Sequence, residues 1–184
     1  MAPSRGPEPW PRALAPSLGP GRPARSAMTP PPPPELDPGT RRALAAGLYN
    51  RTWELLELPS RTVAQDDEMI HTAHASRYHW GVVGVAVNLA RGEWLCSRVY
   101  AVLGRAEPAL HHARRCLELT ELNPDRDDWD LAGACEAMAR AELVAGDLAA
   151  AAEWRGKGVA ALAAIADPED RAPIEADLAA LEPR

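Results

Sequence analysis

The 184 residues carry a formal charge of −6, of which residues 1 to 35 contribute +2, leaving −8 for the remainder; a part so acidic lacks the basic stripe that nucleic-acid binders present to phosphate. Apolar residues make up 46% of the chain, without a single Phe and with Ala and Leu dominant, which is a helix former's composition. No uninterrupted apolar run approaches the roughly 18 residues of a membrane span, and prolines interrupt the N-terminal stretch where a signal peptide needs a continuous apolar core, so a cytoplasmic chain without membrane or nucleic-acid partners is expected.

Of the 19 prolines, 13 lie in residues 1 to 38, including the run Pro30 to Pro34. A segment so rich in proline holds no helix and offers little apolar surface to bury, so residues 1–36 are expected to be a disordered tail with local polyproline II. A PxxP-reading domain is one use for it, and a plain linker is the commoner one. Met28 is an alternative start. Residues 37–184 then form the folded domain, the size of one ordinary core.

Order is expected to begin at Asp37-Pro38, an N-cap and first-turn pair, with Leu44, Leu48, Leu55 and Leu56 at helical intervals and Pro59 ending the first helix. Thr62-x-x-Gln65 reads as a capping box for a second helix running to about Trp80, before Gly81 and Gly84. A third covers about Val87 to Leu103, with Gly104 at the C′ position, and a fourth runs from about Glu107 to Leu122, with Pro108 in its first turn and Pro124 after its end. Asp127 or Asp128 is expected to cap a fifth helix that stops at Gly146, and Asp147 a sixth that reaches about Ala166. Asp167-Pro168-Glu169-Asp170 opens the last. Nothing alternates with period two, so the fold class is all-α with about seven helices. The three cysteines, Cys96, Cys116 and Cys135, fit neither a disulfide framework nor paired zinc-ligand spacing and are read as buried, reduced thiols.

Superposing Gly104 on Gly146, an offset of 42, aligns two helix–glycine–helix hairpins, and Trp53 lies 41 before Trp94. Ser97, Tyr100, Gly104, Ala109 and Cys116 in one hairpin, and Ala139, Glu142, Gly146, Ala151 and Gly158 in the next, stand where the tetratricopeptide motif has small residues, an aromatic and the turn glycine. The segment 87–166 therefore resembles a tetratricopeptide repeat protein, with a degenerate hairpin over 40–80. It departs from the family in its longer period and in Glu142, where an aromatic is usual. The resemblance implies an antiparallel helix-hairpin array, an α-solenoid, with a ligand-binding concave wall built from the first helix of each hairpin. On that wall it places Asn88, Arg91, Trp94 and Arg98, followed by Glu136 and Arg140, the last two also a favourable i,i+4 ion pair.

A Trp between two Arg on one helical face suits a carboxylate, so a non-enzymatic interaction module binding a protein or acidic peptide is expected. The alternative for the same residues is a wall whose arginines are already paired with the chain's own acids. A second cluster runs from Asp66 to Trp80. There Glu68, His71 and Tyr78 share a stripe with His74 one turn from His71, and Arg77 adds a donor. Glu68-x-x-His71 is half of the element that carboxylate-bridged metal sites use twice, so Glu68, His71 and His74 are metal-ligand candidates, and His71 or His74 is a candidate general base. No nucleophile motif or phosphate loop accompanies them, so neither an enzyme nor a cofactor is expected. A small-ligand or metal-dependent protein centred on Glu68, His71, His74 and Tyr78 is the alternative function, with one pocket shared by residues 71–80, Arg91 and Trp94 as its intermediate form. The last helix is expected to cap the open end of the array or, failing that, to leave a face that forms a homodimer.

Overall fold

A computed structural model of the chain describes residues 35–181; all but the end of the expected tail, including Met28 and the proline run, lies outside them. The described residues form seven α-helices and no strand: α1 (Pro38–Leu56), α2 (Val63–Val83), α3 (Ala86–Val102), α4 (Ala106–Leu122), α5 (Asp130–Ala145), α6 (Leu148–Ala161) and α7 (Pro168–Ala180), with a short 3-10 turn at Leu162–Ala164 after α6. None of these helices is long and apolar enough to cross a membrane.

Local chemistry sets most helix ends. Asp37 accepts from the Thr40 N–H at 3.0 Å ahead of Pro38, and Thr62 and Gln65 close a reciprocal capping box, with the Thr62 N–H donating to Gln65 Oε1 at 2.8 Å. Gly104 and Gly146 both adopt left-handed backbone, with φ of 68° and 83°, which an L side chain rarely occupies. Three boundaries differ from expectation. Helix α2 passes through Gly81 to Val83, because the ladder continues as far as the Gly84 N–H, which still donates to Trp80 O at 2.8 Å. Helix α6 ends at Ala161 in the 3-10 turn. Helix α5 begins at Asp130 without an aspartate N-cap: Asp127 is drawn to Arg91, and Asp128 Oδ2 accepts the Ala166 N–H at 2.9 Å, so neither is free to cap.

Consecutive helices pair, α1 with α2, α3 with α4 and α5 with α6; α2 also lies on α3, α4 on α5, and α3 touches α5 directly. Burial divides among three clusters. Leu55, Met69, Ala73, Leu95, Cys96 and Val99 fill the first; Ala109, Ala113, Ala137, Met138 and Ala141 lie in the second; Ala132, Leu162, Ile165 and Leu178 join α5 to α7 in the third. The small residues at offset 42 occupy buried seams: Ser97, Ala109, Cys116, Ala139, Ala151 and Gly158 are all buried. Ser97 Oγ also donates to Ala109 O at 3.0 Å across the α3–α4 pair.

Candidate functional site

Helices α1, α3, α5 and α7 line a half-open groove with a cavity of about 260 Å³. Residues one repeat apart meet along its wall. Trp53 of α1 stacks on Trp94 of α3 at 5.6 Å, and the Trp94 indole N–H donates to Glu136 Oε2 of α5 at 3.1 Å. Tyr49 and Trp129 extend the aromatic lining.

The wall's arginines are all engaged by carboxylates of the chain, the arrangement weighed as the alternative in the sequence. Arg91 donates from Nε to Asp130 Oδ1 at 2.9 Å and from Nη2 to Asp130 Oδ2 at 3.3 Å, reaches Asp127 at 2.5 Å, and lies over the Trp129 ring at 4.0 Å. Arg98 holds Asp177 of α7 bidentately at 2.7 and 3.2 Å, and Arg140 approaches the same carboxylate at 3.4 Å. Arg140 Nε also donates to Glu136 Oε1 at 2.5 Å, the i,i+4 pair expected from the sequence. Glu136 is buried, not exposed on the wall, because Trp94, Arg98 and Arg140 close over it. Burial pushes its carboxyl above the ordinary value, against the opposing pull of Arg140 and Arg98. Asn88 faces its own helix start, accepting the Val85 N–H at 3.0 Å.

The residues of the second cluster go to different partners and do not share the groove. Glu68 accepts from Arg51 at 2.8 and 3.2 Å. His71 and Tyr78 point outward, Tyr78 at 64% exposure, so the stripe expected to line a pocket faces solvent instead. His74 Nε2 meets Tyr100 Oη at 2.9 Å, and burial, followed by the neighbouring His112, lowers its pKa and keeps the ring neutral. Arg77 donates from Nε to Glu93 Oε1 at 2.9 Å. It reaches Glu93 by crossing Gly92, where an added Cβ would lie 2.5 Å from Arg77 Cδ. On the far side of Glu93, His112 Nδ1 meets Oε2 at 2.6 Å. Burial alone would raise the Glu93 carboxyl; the hydrogen bond from His112 and the charge of Arg77 outweigh it and hold it below its ordinary value. The cysteines are free and buried, with Cys96 and Cys116 pushed up to about 12 and Cys135 to about 11 by burial.

Sequence reasoning missed Asp130, Trp129 and Tyr49 as groove residues and Asp177 as the acid that joins two arginines. One signal was available: Trp94 and Glu136, and Arg98 and Arg140, stand at the same offset of 42 as the two turn glycines. Nothing in the spacing of α7 points to Asp177, whose partner Arg98 is 79 residues away. No family model, curated protein or solved structure matches the chain.

Proposed function

We propose that the chain is a non-enzymatic interaction module of tetratricopeptide type, whose groove between α1, α3 and α5 takes an acidic helical segment of a partner protein in place of α7. One observation carries the reading: Arg98 and Arg140, 42 residues apart, converge on a single carboxylate, Asp177, borne by a helix that lines the cavity. Bidentate arginine contact supplies the direction, and the stacked Trp53 and Trp94 supply flat apolar area beside it. Ile174 and Pro173 of α7 line the cavity next to Asp177, which supports reading α7 as a stand-in for such a segment. The net −8 of the chain beyond residue 35 repels an acidic partner at long range, so attraction has to come from these short contacts.

The test uses a fluorescent peptide of residues 168–181 and the full chain carrying Asp177→Ala with Leu178→Ala to release α7. Fluorescence anisotropy should report peptide binding to this opened chain, much weaker binding to the wild type, and loss of binding when Arg98→Gln and Arg140→Gln are added. The proposal fails if the opened chain, folded by circular dichroism, binds no peptide or binds it equally well without the two arginines.

A further inference from the structure

We propose that His74, Cys96 and His112 form a zinc site at the junction of α2, α3 and α4, on the opposite side of α3 from the groove. Each offers one donor atom, and the three atoms all lie within 4.8 Å of one another. Their helices are three successive ones, so the convergence is tertiary and leaves no local motif in the sequence. On α3, Glu93 and Cys96 face α2 and α4 whereas Arg91 and Trp94 face the groove. A two-residue step turns the helix by roughly 200° and separates these roles.

The surroundings hold the two imidazoles as ligands are held. His112 donates its Nδ1–H to Glu93 Oε2 at 2.6 Å, because an ionised carboxylate only accepts, and this leaves the Nε2 lone pair for a metal. Glu93 is fixed in turn by the Arg77 Nε–H at 2.9 Å, so the carboxylate that sets the tautomer is itself anchored. Tyr100 lies parallel to the His112 ring at 5.7 Å and meets His74 Nε2 at 2.9 Å, restraining both rings. Cys96 forms the buried floor, and His74 and His112 are partly exposed, which supplies an entry path.

Two imidazole nitrogens and one sulfur with no carboxylate in the ligand set suit borderline-soft Zn²⁺ and not Mg²⁺ or Ca²⁺. On binding, Cys96 loses its proton to solvent and ligates as thiolate, and the fourth tetrahedral position falls to water. The metal then ties the first helix pair to the second through side chains alone.

Cobalt substitution reads the sulfur ligand directly. Tag-free full-length protein in reducing buffer, titrated with Co²⁺, should develop a thiolate-to-cobalt charge-transfer band and d–d absorption of tetrahedral strength, saturating at one equivalent and abolished by Zn²⁺. Cys96→Ser should remove the charge-transfer band, His112→Gln should weaken binding at least tenfold, and His111→Gln, at the exposed neighbouring ring, should leave both unchanged. Zn²⁺ should raise the thermal midpoint of the wild type and not that of Cys96→Ser, a readout that stands if His112→Gln fails to fold. Absence of the charge-transfer band in wild type, or its persistence in Cys96→Ser, would overturn the site.

Discussion

Glu136 is the residue on which the groove turns, because it is buried yet takes hydrogen bonds from Trp94 and Arg140. Burial raises its carboxyl above the ordinary 4.5, and Arg140 and Arg98 oppose that shift without cancelling it. An acid whose pKa is raised by folding contributes stability that is complete below its ordinary value and is lost as pH climbs through the raised one. Glu136→Gln retains an acceptor for the Trp94 N–H and never ionises. Its urea midpoint should therefore move upward relative to wild type as the pH is taken from acid to neutral. If the wild type gains on the variant over that interval, the arginines outweigh burial and the sign is wrong. The predicted i,i+4 contact between Glu136 and Arg140 was legible because it depends on one helix alone. That Glu136 is buried was not, since Trp94 and Arg98 reach it from another helix.

At the scale of elements, the ends that local chemistry governs are those the sequence discloses: Asp37 before Pro38, the Thr62–Gln65 box, and glycines where the backbone turns left-handed. An added Cβ at Gly104 or Gly146 meets no atom within 4 Å, so substitution costs backbone strain and nothing else. Gly104→Ala and Gly146→Ala should each destabilise by on the order of 1 kcal/mol in chemical denaturation, and Asn at either position by less. Equal stability of all variants would mean that the turns relax to another shape. At the start of α5 a tertiary partner claims the expected caps. Asp127 and Asp128 looked like N-caps for α5, but Arg91 and the Ala166 N–H take them, and α5 starts uncapped at Asp130. Of the histidines of α2, His71 is exposed and His74 turns to the α3–α4 side, a division that only the tertiary fold decides. The Glu68–His71 spacing is a property of one helix, whereas the partner of His74 is Tyr100, 26 residues away.

Across the whole molecule the three buried clusters are coupled unequally. Trp94 packs against both the first and the second, and α5 carries residues of the second and the third, so the helices α3 and α5 form a continuous centre. Helix α7 has less to hold it. Its fully buried anchor is Leu178, at 1% exposure in the third cluster, helped by Asp177 on the two arginines and by Leu178 O, which accepts from Arg155 Nε at 2.8 Å. Pro173 inside α7 removes one ladder hydrogen bond as well. Leu178 in turn rests on Gly158, where an added Cβ would stand 2.8 Å from Leu178 Cδ2, so the small residue of the repeat in α6 is what lets α7 seat. Both Leu178→Ala, which leaves a cavity, and Gly158→Ala, which overfills the same contact, should therefore unseat α7 selectively. The costs should be about 2–5 kcal/mol for the first and about 1–3 kcal/mol for the second, the latter less the roughly 1 kcal/mol that Ala gains over Gly inside a helix. Hydrogen exchange followed by mass spectrometry separates local from global loss. Amides of α7 should exchange much faster in either variant while those of α3 and α5 keep the larger part of their protection, because opening α7 leaves the first two clusters intact. Uniform acceleration across all seven helices would instead make α7 an inseparable part of one cooperative unit, and displacement of α7 by a partner helix would then require unfolding the whole domain.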